Sequence, residues 1–163
     1  MIAEYGRLMF HLALATIIIS SILVPVLPVI GLPVPGELIR YSGILGLITG
    51  RVDLGTLMNF GETLGFGIGG LFLLGGLLSL FRAGSSQLTQ ALSLKTLATY
   101  LALWVPVANG IDVILFSFGR LLAILLPGPL AAETITLVQA VDGFTKFSVI
   151  YYLLVRAFGL PNE

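Results

Sequence analysis

Long hydrophobic runs, separated by short polar stretches, dominate the amino-acid sequence. The first uncharged run covers residues 8–32, and another covers residues 63–81, between Glu62 and Arg82. A helix that crosses a bilayer needs about 20 consecutive, mostly apolar residues, so both runs are long enough to cross. The pattern therefore predicts an all-α, polytopic helical membrane protein.

Four transmembrane helices account for most of the hydrophobic sequence, and the pattern allows a range of four to six. We predict one membrane domain, residues 1–163, with its spans at residues 4–24, 62–82, 95–118 and 132–156.

Prolines set the predicted ends of the first and last spans. Proline lacks a backbone N–H and opposes a continuing helix, so Pro25, Pro28, Pro33 and Pro35 predict that the first helix ends near residue 24. The uncharged piece between Arg40 and Arg51 is half the length of a span. Residues 24–60 are therefore predicted to be re-entrant or interfacial, and an additional span there is left open. Pro127 and Pro129 predict a turn before the last span.

Composition narrows the possible functions. The chain is 57% hydrophobic and 10% charged, against about 25% charged in an average soluble domain. Its eight basic and eight acidic residues are scattered singly, so no polybasic run favours nucleic acid. The absence of cysteine and the presence of a single histidine, His11, disfavour thiol chemistry, metal sites and bis-histidine haem ligation. We expect no cofactor, no metal and no enzymatic activity.

The distribution of basic residues predicts the orientation. With four spans, Arg7, Arg82, Lys95 and Arg156 share one side, and Arg40, Arg51 and Arg120 lie on the other. Basic residues are more frequent on the cytoplasmic side of membrane proteins, so four basic residues against three favours cytoplasmic N- and C-termini. We expect a multi-pass protein of the plasma membrane.

Glycines in the second predicted span follow a helical spacing. Gly61, Gly65 and Gly69 repeat every four residues, and Gly76 lies seven residues further on. Small residues at this spacing let another helix approach closely, so these four glycines are the predicted helix-packing face.

Ionisable residues inside the last two spans are the main candidates for chemistry. Asp112 lies deep in the third span with Asn109 one turn earlier, and Asp142, Lys146 and Gln139 lie on a polar stripe of the fourth. A charge at that depth is costly unless it is paired or hydrated, so we expect Asp112, Asp142 and Lys146 to meet. Such a cluster indicates either an ion or proton pathway or a structural ion pair.

One part of the chain resembles a known family. Residues 73–118 combine a glycine-rich span, the polar Arg-Ala-Gly-Ser-Ser loop that begins at Arg82, and Tyr100 ahead of Pro106. This stretch is similar to the middle of small Yip1-type membrane proteins. The resemblance implies a multi-span protein of trafficking or unknown role, without catalysis.

Two function classes follow from the residues themselves. The leading hypothesis is an accessory or scaffold component of a membrane assembly, in which the glycine face docks another helix. The alternative is a small channel or transporter that uses Asp112, Asp142 and Lys146. The expected partners are membrane lipid and either other membrane subunits or further copies of this chain.

Overall fold

The structure is a computed structural model that describes residues 1–41, 50, 53–82 and 94–157. These residues form helices and no strand. The helices are α1 (Ile2–Val29), α2 (Gly36–Arg40), α3 (Leu54–Arg82), α4 (Leu94–Leu125) and α5 (Gly128–Ala157).

Three helices have the length and apolar composition to cross a membrane. They are α1 over Ile2–Val29, α3 over Leu54–Leu77 and α4 over Leu97–Leu125. The protein is therefore a helical membrane protein. Helix α5 has 30 residues, which is long enough, but it carries Asp142 and Lys146 in its middle and is less apolar than the other three. The fourth span stays a prediction.

The predicted end of the first helix is wrong, because α1 continues through Pro25 and Pro28 to Val29. Each proline removes only one N–H to C=O bond, to the residue four positions earlier, and the bonds on either side hold the helix together. Proline is tolerated in membrane helices for this reason.

Helix α1 is ended by Gly31 and not by either of its prolines. The Gly31 N–H donates to the Pro28 carbonyl at 3.1 Å, and the Leu32 N–H donates to the Leu27 carbonyl at 2.9 Å. Gly31 has a φ of +78°, the left-handed conformation that this Schellman cap requires and that glycine adopts without strain.

The other long helices also extend beyond their predicted bounds. Helix α3 starts at Leu54 rather than 62, because the Asp53 carboxylate accepts the Thr56 N–H at 2.6 Å and caps the helix. Helix α4 runs through Pro106 and past residue 118 to Leu125. Helix α5 starts at Gly128 rather than 132, because Pro129 occupies the first turn, where its missing N–H has no intrahelical partner.

Part of the predicted connecting sequence lies outside the described residues. Within residues 24–60, the structure describes the end of α1, the short helix α2 and the start of α3; residues 42–49 and 51–52 are outside it. The predicted polar connection at 83–93 and residues 158–163 are also outside it.

Helix α4 lies at the centre of the core. Its Trp104, Val107 and Ile111 are fully buried, and they pack in one cluster with Val149 and Ile150 of α5. Along α3, Asn59 bonds to Asn109 and Thr63 to Trp104, so α3 and α4 run antiparallel. Helix α5 is also antiparallel to α4, because Val138 lies at Gly119 and Lys146 at Asp112.

Glycine allows α1 to pack closely against two helices. A Cβ at Gly110 of α4 would overlap the backbone of Ala13, and a Cβ at Gly6 would overlap the backbone carbonyl of Ser148 on α5. The backbone of α1 therefore lies in direct contact with α4 at one point and with α5 at another.

Candidate functional site

The structure brings the three predicted ionisable side chains together. The Lys146 Nζ lies 2.6 Å from the Asp112 Oδ1 and 2.8 Å from the Asp142 Oδ2. Asp142 and Lys146 are four residues apart on α5, a spacing that places both on one face, and Asp112 reaches them from α4. We call Asp112, Asp142 and Lys146 the charge cluster.

The charge cluster is buried, and its negative and positive groups are unequal in number. The exposed fractions of the side chains are 2% for Asp112, 13% for Asp142 and 15% for Lys146. With all three groups ionised, the two carboxylates and one ammonium carry a formal charge of −1. A buried charge without a partner is strongly disfavoured, so this cluster tends to take up one positive charge.

Asn109, the neighbour of Asp112 on the polar face of α4, bonds to a different helix. Its Oδ1 accepts the Asn59 Nδ2–H of α3 at 3.0 Å, and its own Nδ2–H donates to the Val105 carbonyl at 2.8 Å. Asn109 therefore joins α3 to α4 beside the charge cluster. Gln139 lies apart from the cluster: its side chain is exposed and lines a second cavity.

A cavity of about 140 Å³ connects the charge cluster to the protein surface. Asp142 and Lys146 form part of its wall, and the exposed residue Glu62 lies at its rim. The Asp142 Oδ1 atom is buried and has no hydrogen-bond partner in the structure. The other lining residues are Asn59, Thr63, Phe66, Trp104 and Gly143. A cavity of this size with polar walls can hold water, which would hydrate the unpartnered oxygen.

Trp104 forms one wall of this cavity and was not predicted to belong to the site. Its Nε1–H donates to the Thr63 carbonyl at 2.8 Å, and its ring lies so close to α3 that a Cβ at Gly67 would overlap it. The ring also stacks on Phe66, with centroids 6.1 Å apart. The single tryptophan and an off-register glycine, Gly67, were the only signals in the sequence.

The predicted glycine face does not pack within the described part of the chain. A Cβ at Gly61, Gly65, Gly69 or Gly76 would meet no atom within 4 Å. Gly67 against Trp104, and Gly70 with a Cβ 2.6 Å from Ile150, make the close approaches instead. Within this chain the close contacts of α3 are therefore made by other glycines, and contact of Gly61, Gly65 and Gly69 with a helix of a further chain stays a prediction.

A second ionic site lies nearer the end of α4. Arg120 forms an ion pair with Glu37 of α2; the Arg120 side chain is 69% exposed and that of Glu37 is 15% exposed. Both residues line a cavity of about 260 Å³, which we call the outer cavity. Tyr41 stacks on Phe116 beside it, with ring centroids 5.2 Å apart and an angle of 9° between the rings.

Within the described residues, no group of three or more histidine, aspartate or glutamate side chains could hold a metal ion. The Lys146 ammonium occupies the space between the two carboxylates of the charge cluster, where a cation would otherwise sit. The absence of cofactors stays a prediction.

No model of a known protein family, no curated protein and no solved structure matches the chain. The likeness of residues 73–118 to Yip1-type proteins therefore stays an expectation from the sequence, and the function is argued from the site.

Proposed function

We propose that the protein is a small membrane transporter or channel that carries protons through the charge cluster. The observation that supports this proposal most directly is a buried group of two carboxylates and one ammonium beside a cavity that reaches the surface. Ionisable groups within membrane helices are costly to bury and are used for proton and ion pathways.

Protons fit the charge cluster better than metal cations do. The Lys146 Nζ lies within 2.8 Å of both carboxylates, so a metal ion would have to displace a bound ammonium. A proton needs no such space, because it binds to a carboxylate oxygen and brings the formal charge of the cluster to zero. The cavity reaches Asp142, whose Oδ1 has no hydrogen-bond partner among the described residues, so a proton that enters through the cavity meets this carboxylate first.

The cavity provides access from one direction. A proton would enter past Glu62 and reach Asp142 and Lys146 through water in the cavity, and then pass to Asp112. Beyond Asp112 the path is closed, because Asp112 is 2% exposed and its neighbour Ile111 is fully buried. Passage through the bilayer would therefore need a rearrangement of α4 against α5, which is how transporters alternate access.

Proton flux into liposomes containing the purified protein tests this proposal. We expect Asp112→Asn and Lys146→Met each to abolish the pH change in a pyranine-loaded vesicle under an imposed potential. Asp53→Asn is the matched control: it makes the same chemical change at an exposed helix cap, and we expect wild-type flux. If Asp112→Asn and Lys146→Met both conduct as the wild type does, the cluster is a structural ion pair.

A scaffold is the second candidate function, and a separate observation favours it. The face of α3 formed by Gly61, Gly65 and Gly69 is smooth and contacts no described part of this chain. A transmembrane helix of another subunit could approach this face closely. On this hypothesis, Gly65→Leu and Gly69→Leu break a complex that survives gentle detergent extraction, and Asp112→Asn leaves it intact.

We also propose that the protein lies in the plasma membrane with both termini in the cytoplasm; the orientation rests on the count of basic residues. The chain has no cysteine, so a single introduced cysteine can be labelled without background. A cysteine at exposed position 4 should react with a membrane-impermeant maleimide only after cells are permeabilised. Labelling of this cysteine in intact cells would show that the N-terminus lies outside the cell, contrary to the proposed orientation.

A further inference from the structure

The outer cavity lies near the end of a membrane-spanning helix. It is formed by α2, the C-terminal part of α4 and the N-terminal part of α5. Arg120 is five residues before the end of α4, which places it within about 8 Å of the helix terminus at a rise of 1.5 Å per residue. The cavity is therefore close to the end of a span, where lipid headgroups lie.

Positive charge predominates in the outer cavity. Two arginines, Arg40 and Arg120, line it together with one carboxylate, Glu37, so the formal charge of the lining is +1. Both arginine side chains are largely exposed. Glu37, the one carboxylate in the lining, forms an ion pair with Arg120, and Asp53, which does not line the cavity, interacts electrostatically with Arg40. The cavity can therefore accept one further negative charge.

Neutral hydrogen-bonding groups complete the polar side. Tyr41 and Gln139 line the cavity. Burial raises the pKa of the Tyr41 phenol above its ordinary value, so Tyr41 keeps its O–H and can donate to an anion. The stacking of Tyr41 on Phe116 fixes the position of this ring, and the Arg40 guanidinium lies over its face at 5.6 Å from the ring centre.

Apolar side chains make up the rest of the lining. They are Phe116, Ile135 and Val138, and Ile135 is half exposed. Gly119 lets α5 come close here, since a Cβ would lie 2.7 Å from the Val138 Cγ2. The volume of about 260 Å³ is below the usual range of about 300–1,000 Å³ for sites that enclose a whole drug-sized ligand. The size suits a headgroup whose hydrocarbon part extends outside.

We propose that the outer cavity binds the phosphodiester headgroup of an anionic glycerophospholipid, with Arg40 and Arg120 on the phosphate and the acyl chains along Ile135. Basic cavities between membrane helices recognise lipid phosphates in this way. This site is separate from the charge cluster and does not depend on proton transport.

Native mass spectrometry of the detergent-solubilised protein, titrated with phosphatidylglycerol and with phosphatidylcholine of the same acyl chains, tests the proposal. We expect phosphatidylglycerol to bind more tightly. Arg40→Gln and Arg120→Gln should each weaken its binding about fivefold, the effect of one basic residue at a membrane surface. Arg7→Gln is the matched control: Arg7 is exposed and does not line the cavity, and we expect unchanged binding.

Glu37→Gln separates lipid binding from a purely structural ion pair. Removing the one carboxylate should tighten phosphatidylglycerol binding, whereas a structural role of the Glu37 and Arg120 pair predicts that it weakens binding as much as Arg120→Gln does. Equal binding of the two lipids, or equal losses in Arg7→Gln and Arg40→Gln, would overturn the proposal. Displacement of phosphatidylglycerol by equimolar inorganic phosphate would assign the site to a soluble phosphate and overturn the lipid assignment.

Discussion

Helix α4 carries two ionic sites whose surroundings differ. Asp112 belongs to the buried charge cluster, and Arg120, eight residues or about 12 Å further along the helix, belongs to the outer cavity. The Asp112 side chain is 2% exposed, whereas that of Arg120 is 69% exposed. The formal charges also differ in sign, −1 for the cluster and +1 for the outer cavity.

Burial determines what each site can do. In the charge cluster, water and salt screen the charges little, so removing one partner of an ion pair there leaves a strongly disfavoured buried charge. In the outer cavity, water reaches the exposed guanidinium of Arg120 and screens its charge, although its partner Glu37 is only 15% exposed. On the two proposals made above, the same helix supports one site for a proton and one for an anionic lipid headgroup.

The largest expected effect comes from Lys146→Met in the charge cluster. The change leaves Asp112 and Asp142 buried without a counter-charge, and removal of one member of a buried ion pair costs about 3–5 kcal/mol. The free energy of unfolding, measured by denaturant titration in detergent micelles, should fall by about that amount.

The double variant Asp112→Asn/Lys146→Met provides the control for Lys146→Met. It leaves one buried carboxylate rather than two, so we expect it to be more stable than Lys146→Met alone. If the loss of stability in the double variant equals the sum of the losses in Asp112→Asn and in Lys146→Met, Asp112 and Lys146 do not interact, contrary to the geometry.

Gly67→Ala tests how closely Trp104, which lines the cavity beside the charge cluster, packs against α3. The added Cβ would overlap the Trp104 ring, and overpacking of this kind costs about 1–3 kcal/mol. Gly65→Ala, two residues earlier in α3, meets no atom within 4 Å and should be neutral or slightly stabilising. Thermal unfolding of the two variants measures the difference, and equal melting temperatures would contradict it.

Arg120→Gln should have a smaller effect on stability than Lys146→Met. It removes the exposed partner of an ion pair whose other partner, Glu37, is 15% exposed, so the loss should exceed the ~0–1 kcal/mol of a fully exposed pair and stay below the ~3–5 kcal/mol expected for Lys146→Met. The remaining difference should shrink further in high salt, because salt screens exposed charges. A loss as large as that of Lys146→Met, measured in the same detergent, would mean that burial does not distinguish the two sites.

The smallest expected effect concerns Asp53, the fully exposed cap of α3. Hydrogen bonding with Thr56 lowers the pKa of Asp53 below its ordinary value, so the ionised carboxylate stabilises the helix start. That stability is present above the ordinary pKa of aspartate and is lost as the pH falls through the lowered value. Hydrogen exchange of the Thr56 amide should accelerate, relative to the intrinsic rate, at acidic pH in the wild type. In Asp53→Asn the protection should not depend on pH.

Local rules predicted the elements well and their ends poorly. The long uncharged runs identified α1, α3 and α4, because length and hydropathy are properties of the sequence alone. The end of α1 was wrong because the proline rule describes the loss of single backbone bonds, and the Gly31 cap decides where the helix stops. The start of α3 was missed because the Asp53 cap precedes the apolar run.

The candidate site was predictable only in part. Asp112, Asp142 and Lys146 could be proposed as neighbours, since charges inside apolar helices need partners. Trp104 and Asn59 could not be predicted as part of the site, because their hydrogen bonds between α3 and α4 depend on how closely the two helices approach.

The sequence by itself determined that this is a helical membrane protein with a few ionisable residues inside its helices, because these features depend on composition and periodicity. The tertiary structure decided which glycines pack and which face outward, and it separated Gln139 from the charge cluster. It also formed the outer cavity from Glu37, Arg40 and Arg120, which are up to 83 residues apart in the chain (120 minus 37). Such contacts depend on how helices cross in three dimensions, and no local rule of spacing contains that information.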